Sequence, residues 1–453
     1  MKKIFLRGIG RREFLKASLS GLALATLPRI SFAQSNPDVV VIGAGSAGLS
    51  ASAELMRRGI SFVCIEGMNR IGGRCYTDMS TFGVPADHGA HWLHGHKQNE
   101  IAIFGKKHKD KFKIYKEPDR SVVYDGGKKV NENKLWKIYK KIEKIKEATS
   151  SDEPFMDLLP EKIKKNDWFD TAHKASMARD FGEFSTYDDN NNWYDPGWDS
   201  GNALCREGYG TLLAYYRKDV PVKLNTIVSE IKWGGQGVQV VTNKGTINAK
   251  ACIVTVSAGV LKAEKIKFTP DLPLRNREAL ESVSMTVSNR VLMQLKKKFL
   301  GKFKSDTNFY IKCNSNGAKS PETISYGLLK MSGTNVSLFG ISGQFSRDLE
   351  NEGSEAMIDF VLNKLKSTFG SKFYEKYFIK AIATGWANNP FTLGAYSGGV
   401  PGKSKKRRDI KLPVGDRIFF AGEATAGAFS TVHGANRSGI RAATDLYISS
   451  ALD

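Results

Sequence analysis

The chain has few acidic residues for its length. Its 453 residues include 46 aspartates and glutamates against 68 lysines and arginines, which gives a formal net charge of +22. Such a surplus attracts anionic partners, for example a membrane surface or a polyanion. Since no base-reading motif accompanies the charge, we expect non-specific attraction at most and no dedicated nucleic-acid partner.

Cysteine is also scarce. The five cysteines are Cys64, Cys75, Cys205, Cys252 and Cys313, and their spacing matches no metal site. We therefore expect no metal, and the odd count leaves at least one thiol free. Cys64 and Cys252 stand in apolar, strand-like runs, which predicts that both lie in the core.

Long apolar runs are missing as well. No stretch reaches about 18 uninterrupted apolar residues, the length that would cross a bilayer as a helix, so no transmembrane segment is expected in the mature chain. Residues 10–16, GRREFLK, instead carry a twin-arginine pattern, and residues 31–33, SFA, form a small-x-small cleavage site. Residues 1–33 are therefore interpreted as a twin-arginine signal peptide. This implies the twin-arginine translocase as a partner and a periplasmic location, since that route carries folded, cofactor-loaded cargo.

Residues 39–66 predict a dinucleotide-binding βαβ unit. A strand-like run at 39–42 is followed by GAGSAG at 43–48, a helical segment, and a second apolar run ending at an acid 23 residues after the first glycine. The glycines allow a tight turn, close approach of backbone N–H groups to a pyrophosphate, and close helix–strand packing. The helix N-terminus faces the phosphates, and the acid can accept hydrogen bonds from the adenosine ribose. The candidate contacts are Gly43, Gly45, Ser46, Gly48 and Glu66.

The chain resembles the flavin-containing amine oxidase family, which includes monoamine and polyamine oxidases. Separate motifs carry the resemblance in the family's order along nearly the whole mature chain. They are residues 70–74 (RIGGR), 87–95 (DHGAHWLHG), 207–212, 224–228, 255–262, 419–425 and 430–435.

The resemblance implies an α/β fold with two domains. A discontinuous Rossmann-like FAD-binding domain is expected from residues 36–95, 205–284 and 412–453. An α+β substrate-binding domain of the amine oxidase type is expected from residues 96–204 and 285–411.

The resemblance also implies non-covalent FAD, because Val400 stands where monoamine oxidases carry the flavin-linking cysteine. It places Arg74 near the phosphates and Glu423 at the ribityl–phosphate region. It places the backbone N–H groups of Thr431 and Val432 near the N1/O2 edge of the flavin, where charge develops on reduction. The further implied FAD contacts are Gly73, Ala90, His91, Val228 and Gly422.

Two positions depart from the family pattern. Met68 replaces an arginine that usually follows the ribose acid, and Arg290 occupies the position of a lysine that approaches the flavin N5 through a water. A guanidinium stays charged and cannot shuttle a proton as a lysine can. Two interpretations remain open: weak reactivity with O2 and transfer of electrons to a periplasmic acceptor, or an arginine that holds the same water with little change.

The predicted reaction is FAD-dependent oxidation of an amine C–N bond, with hydride transfer to flavin N5 and hydrolysis of the imine. The substrate that we expect first is a polyamine, followed by another primary or secondary amine. O2 or a periplasmic acceptor takes the electrons. The candidate catalytic residues are Arg290, Tyr396 and His94. Tyr396 is a substrate-face aromatic or an ordinary core residue, and His94 is a substrate contact or a structural support.

Two alternatives to the oxidation of a polyamine or another amine remain open. An L-amino acid oxidase would need a cation for the substrate carboxylate, for which Arg290 is available. A non-catalytic flavoprotein of the envelope is the alternative from another class.

Two charged segments have more than one interpretation. Residues 181–199 are rich in acids and aromatics, and form either a solvated acidic loop or a guide for a cationic amine. Residues 403–408, KSKKRR, form either a solvated loop or a patch for a membrane or partner.

Overall fold

A five-stranded parallel sheet forms where the sequence predicts the nucleotide-binding unit. The computed structural model describes residues 36–177, 180–313 and 320–452. The strands lie in the order Ile418–Phe420, Ala251–Val254, Val39–Ile42, Phe62–Ile65, Val222–Lys223. Every residue of the central strand Val39–Ile42 is buried, because both faces of the sheet are covered.

Two helices cover one face of this sheet. Ser46–Arg57 and Val432–Ile448 pack so closely that a Cβ on Gly439 would lie 2.0 Å from the carbonyl oxygen of Ala47. The hydroxyl of Ser50 also donates to the Asn436 side chain at 2.6 Å. The first helix begins at Ser46, so the last part of the glycine-rich loop already forms its first turn.

A four-stranded sheet packs against the other face. Its strands are ordered Gly245–Ala249, Val238–Thr242, Val228–Lys232, Lys267–Thr269, and the middle two form an antiparallel hairpin. Side chains of both sheets share one apolar core, in which Ile42 of the parallel sheet and Val240 of the hairpin are buried together.

A seven-stranded mixed sheet forms the second large sheet. Its order is Phe378–Ala383, Ser288–Leu295, Val336–Ser342, Tyr326–Leu329, Thr307–Ile311, Ser121–Asp125, Lys128–Val130. The helix Ser354–Phe369 packs in its apolar core through residues such as Val361, and the helix Asn133–Ala148 packs in a further core through residues such as Ile138. The apolar run at residues 290–295 thus forms part of a strand, and residues 357–365 form part of a helix.

The remaining elements are short. Paired strands are Thr77–Asp78 with Ala86–Asp87, Ile114–Lys116 with Ala203–Cys205, and Val283–Met285 with Ser397–Gly399. The other α-helices are Glu100–Lys107, Phe155–Leu158, Glu161–Lys164, Phe169–Met177, Tyr209–Tyr216, Ala258–Lys262, Leu274–Glu281, Lys297–Leu300, Gln344–Glu352 and Phe373–Tyr377. A π-helical turn spans Asp188–Asn192, and 3-10 turns span Phe181–Glu183, Trp198–Ser200, Met331–Gly333, Ser404–Lys411, Glu423–Thr425 and Ser450–Leu452.

The strands are distributed between the sheets by chain segment. All strands of the five- and four-stranded sheets come from residues 36–95, 205–284 and 412–453, and those of the seven-stranded sheet come from residues 96–204 and 285–411. Residues Pro37–Asp453 nevertheless form one compact unit, and the domain boundaries stay a prediction.

Two further predictions concern the core and the N-terminus. Cys64 and Cys252 are buried in the parallel sheet as predicted, and all five cysteines are free thiols. The predicted signal peptide, residues 1–33, lies outside the described residues. Within the described part of the chain, no helix is both long enough and apolar enough to cross a membrane.

Candidate FAD and substrate site

The glycine-rich loop has the geometry that a pyrophosphate requires. Gly43 has φ +101°, and a Cβ there would lie 2.7 Å from the Thr255 hydroxyl. A Cβ on Gly48 would lie 1.8 Å from the carbonyl oxygen of Gly43, so the helix can approach the strand only without a side chain. A Cβ on Gly45 would meet no atom within 4 Å, which leaves open space beside the backbone for a ligand.

Glu66 is held in place by the same loop. Its carboxylate accepts hydrogen bonds from the backbone N–H groups of Ala44 at 2.7 Å and Met68 at 2.9 Å. The residue is buried and lines the cavity described below. Met68 lacks the family's arginine side chain, but its backbone still fixes the acid that is expected to bind the ribose.

Two helix N-termini open onto one cavity. Ser46 and Ala47 belong to the first turn of one helix, and Val432 and Ala435 to the start of another; all four line the cavity. Thr431 caps the second helix, and its hydroxyl accepts from the Gly434 N–H at 3.0 Å. Helix N-termini present free N–H groups and partial positive charge, which suits phosphates and the electron-rich edge of a reduced flavin.

Glu423 is a buried carboxylate with several donors. It accepts from Arg74 Nη1 at 2.9 Å, from the Ser397 hydroxyl at 2.7 Å and from the Ser430 N–H at 3.0 Å. Burial opposes its ionisation, but the charge of Arg74 and the hydrogen bond from Ser397 outweigh burial and lower the pKa of Glu423. Arg74 is thus neutralised on one side by Glu423, and its contact with phosphates stays a prediction.

His91 has one nitrogen satisfied and one without a partner. Nδ1 lies 2.7 Å from the Asp87 carboxylate, which fixes the tautomer with the proton on Nδ1. Nε2 is buried and has no hydrogen-bond partner among the described residues, although His91 lines the cavity. A buried acceptor of this kind is explained by a ligand that donates to it.

A single cavity of about 1290 Å³ collects these residues. It is larger than the roughly 300–1,000 Å³ typical of a site for one small molecule, and has room for a dinucleotide and a substrate. Together with the open glycine loop and the orphaned His91 nitrogen, this fits FAD. The predicted cofactor residues that line the cavity are Gly43, Gly45, Ser46, Glu66, Gly73, Arg74, Ala90, His91, Val228, Gly422, Glu423, Thr431 and Val432; Gly48 lies beneath them.

Beyond the cofactor residues the cavity wall becomes aromatic. Trp92 and Tyr326 meet edge to face with ring centroids 5.9 Å apart. The predicted Tyr396 lines this cavity, and its carbonyl oxygen accepts from the Thr286 N–H at 2.8 Å. The other aromatic side chains that line the cavity are Tyr139, Trp193, Trp198, Tyr310, Trp386, Phe391 and Phe429.

His94 belongs to a hydrogen-bonded chain that ends at Glu117. The carboxylate of Glu117 accepts from Trp92 Nε1 at 2.8 Å and from Asn202 Nδ2 at 2.8 Å, and the Asn202 oxygen lies 2.8 Å from His94 Nδ1. Because Asn202 donates to Glu117, its oxygen accepts the Nδ1 proton of His94, and Nε2 remains an acceptor. Burial lowers the pKa of His94 to about 4, so the ring is neutral at pH 7.

Arg290 brings a positive charge to the cavity. The residue is 8% exposed, its Nε donates to the Tyr326 hydroxyl at 3.3 Å, and its Nη1 donates to the Asp87 carbonyl oxygen at 3.4 Å. Its guanidinium carbon lies 5.6 Å from the Trp92 ring centre. No carboxylate of the described residues forms an ion pair with it, so the cavity retains a charged group able to bind an anion.

Sequence reasoning missed several residues of the wall. Glu117, Asn202, Tyr326 and Trp386 lie in segments without a motif, and only their packing around the cavity identifies them. Trp92 lies inside the motif at 87–95, so that motif could have identified it as a residue of the cavity wall.

The two charged segments are solvated only in part. The side chains of Asp188, Asp195 and Arg407 are buried, whereas Arg408 and the three lysines of residues 403–408 are exposed, as a solvated loop predicts. Asp188 and Arg407 form an ion pair at 2.8 Å with side chains 2% and 3% exposed. Asp195 is equally buried and pairs with His433 at 2.8 Å and Arg437 at 3.1 Å. These pairs hold residues 188–199 against the rest of the protein, and Asp189, Asn190, Trp193 and Trp198 of this segment line the cavity.

The Asp188–Arg407 pair yields a stability prediction. Arg407→Gln leaves a buried carboxylate without its cation, and we expect the free energy of unfolding to fall by about 3–5 kcal/mol. The matched control is Lys406→Gln, because Lys406 pairs with Glu278 on the surface, and an exposed pair contributes about 1 kcal/mol at most. Urea unfolding of both variants measures the difference, and equal losses would contradict a structural role for Arg407.

Comparison with known proteins agrees with this site. Residues 171–447 match the family model described as flavin containing amine oxidoreductase, and residues 41–104 match the NAD(P)-binding Rossmann-like domain. The chain is 29% identical to polyamine oxidase 4 of Oryza sativa subsp. japonica, over 94% of this chain and 91% of that protein. It is 28% identical to polyamine oxidase 2 of Arabidopsis thaliana, over 90% and 88% of the two chains.

The fold is similar to that of putrescine oxidase. A structure of the wild type bound to putrescine superposes with a TM-score of 0.71 at 18% identity, covering 91% of this chain and 99% of that one. The family match spans more than half of the chain and includes part of the cavity wall and nearly all of the helix Val432–Ile448. The chain therefore belongs to the flavin-containing amine oxidoreductase family.

Proposed function

We propose that this FAD-dependent amine oxidoreductase oxidises a polyamine, a substrate that carries positive charge beyond the reacting nitrogen. The carrying observation is Glu117, a carboxylate fixed by Trp92 and Asn202 in the aromatic part of the cavity. Apart from the predicted cofactor residues Glu66 and Glu423, three further acids line the same cavity: Glu143, which pairs with Lys146, Glu147 and Asp189. The names of the curated relatives, polyamine oxidases of two plants, support the same substrate class.

The side chains of the wall have defined tasks in this proposal. Bound FAD supplies the two-electron oxidising chemistry, and the protein supplies binding and orientation. The aromatic wall excludes water and contacts the methylene groups, while Glu117 holds a distal ammonium group by charge. His94 is neutral at pH 7, so its Nε2 can accept a hydrogen bond from a substrate nitrogen.

An L-amino acid is the second candidate substrate. Arg290 favours it, because a buried guanidinium without a carboxylate partner among the described residues is suited to a substrate carboxylate. The charge of Arg290 is compatible with two electron acceptors. Either O2 accepts the electrons, or another periplasmic acceptor does so because the arginine does not support the reaction with O2.

We further propose that the chain is exported in folded form. The twin-arginine pattern at residues 10–16 and the cleavage site at 31–33 support the translocase as a partner and the periplasm as the location. The cofactor cavity gives a physical reason, since FAD buried among three chain segments has to be loaded before transport.

The substrate class is tested by anaerobic titration of the purified protein. We expect spermidine or putrescine to bleach the oxidised-flavin absorption band, and a monoamine or an L-amino acid to do so more slowly. Fast bleaching by the amino acid alone would replace the polyamine by the second candidate. Admitting air afterwards shows whether O2 restores the band.

The variant Glu117→Gln tests the contribution of the Glu117 charge to amine binding without changing the size of the side chain. The variant keeps the volume but removes the negative charge, and we expect KM for a diamine to rise roughly 10- to 100-fold, the value of a hydrogen bond to a charged group. KM for a monoamine should change far less. Glu153→Gln, an exposed acid that does not line the cavity, is the control. Equal effects on both amines would refute the role of Glu117.

Export is tested with Arg11→Lys and Arg12→Lys in the full-length chain. If the twin-arginine pathway is used, the double variant should remain in the cytoplasm, uncleaved and loaded with FAD. Cell fractionation and the mass of the protein give the result. Unchanged export of the variant would contradict the proposed route.

A further inference from the structure

The helix Asn133–Ala148 has three distinct faces. Leu135, Ile138 and Ile142 are buried in the protein core. At 100° per residue, a second face carries Tyr139 and Glu143, which line the cavity. The third face points to solvent, and its charged residues are all lysines.

We call this third face the lysine face. It consists of Lys134, Lys137, Lys140, Lys141 and Lys144, all exposed. On a helical wheel they fall within an arc of about 120°, over a length of about 15 Å along the axis.

None of these five lysines forms an ion pair with a described residue. Other exposed lysines of the chain are neutralised locally, for example Lys232 by Glu230 and Lys406 by Glu278. On the helix itself, Lys146 pairs with Glu143 at the cavity instead of contributing to the lysine face. Five lysines without an ion pair thus share this face, with one exposed acid, Glu147, at its edge. Such a concentration of like charge costs free energy by self-repulsion unless an anionic partner is present.

The lysine face borders the cavity wall. Glu147 is exposed and also lines the cavity, and it follows Lys144 by three residues and Lys140 by seven. Residues three or seven positions apart on a helix are neighbours on one side. A cationic substrate that approaches this wall from open solution is thus repelled by lysines next to it.

We propose that the lysine face docks on a lipid bilayer with anionic headgroups. There the negative surface potential compensates the lysines and also enriches small cations beside the cavity wall. The docking requires only the lysines and the bilayer. Its benefit for turnover rests on the proposed polyamine substrate.

The composition of the face favours a bilayer over a nucleic acid. All five cations are lysines, which act as hydrated point charges suited to a continuous charged plane. The face contains no arginine for bidentate phosphate contacts and no exposed aromatic side chain for base stacking. The strip of charge is straight and about 15 Å long, which is about three helical turns. This shape matches a flat surface.

The test is co-sedimentation of the FAD-loaded full chain with vesicles of equal parts phosphatidylglycerol and phosphatidylcholine. Pure phosphatidylcholine vesicles are the neutral reference. The variant replaces Lys134, Lys137, Lys141 and Lys144 by glutamine. Each lysine near an anionic surface raises partitioning roughly fivefold, so four substitutions should weaken binding by up to several hundredfold.

The matched control replaces four scattered exposed lysines, Lys223, Lys267, Lys298 and Lys304, by glutamine and has the same net charge. We expect it to retain most of the binding, and added salt to weaken binding of the unmodified protein. Equal loss in both variants, equal binding to neutral vesicles, or no binding would overturn the proposal. Equally tight binding to duplex DNA, with the same loss in the variant, would assign the face to nucleic acid instead.

Measuring the oxidation of free amine in solution distinguishes a failure of this docking proposal from a failure of the proposed function. The four lysines do not line the cavity, so at saturating amine the variant should reduce its flavin as fast as the unmodified protein. Failure of the amine panel with intact vesicle binding would count against the substrate alone.

Discussion

The buried carboxylate of Glu423 joins parts of the chain that are far apart in sequence. It accepts hydrogen bonds from Arg74, Ser397 and Ser430. A buried charge is tolerated only when it is paired and hydrogen-bonded, so these segments have to converge. Ser397 also accepts from Arg407, which pairs with Asp188. The cofactor end of the cavity and residues 188–199 at its substrate end are therefore connected by one buried polar network.

The distribution of charge is the second organising feature. The chain carries a net charge of +22, yet six of its acids line the cavity and others are buried in ion pairs. Cations dominate the surface, and carboxylates dominate the part of the cavity beyond the cofactor residues. This arrangement suits a cationic substrate inside the protein and an anionic partner outside it, because each charge lies where its counterpart is expected.

Arg290 is one side chain whose charge bears on both candidate substrate classes. It lies against Tyr326 and the Trp92 ring, in the same cavity as the glycine-rich loop, and it brings a permanent positive charge. Glu117 places a negative charge at the edge of the same Trp92 ring. Two opposite charges thus lie beside one indole, and they favour opposite substrates: Glu117 favours an extra ammonium group and Arg290 favours a carboxylate.

The sequence by itself determined the dinucleotide-binding unit, because the glycines at 43, 45 and 48 and the acid at 66 act through local backbone geometry that a short motif encodes. It also determined the family, through motifs that keep their order. Only the tertiary structure decided the substrate wall: Glu117, Asn202 and Tyr326 come from segments without motifs and meet through packing. It likewise decided that Asp188 and Arg407 are buried partners, since a charge run looks solvated until the residue that neutralises it, 219 positions away, is brought alongside.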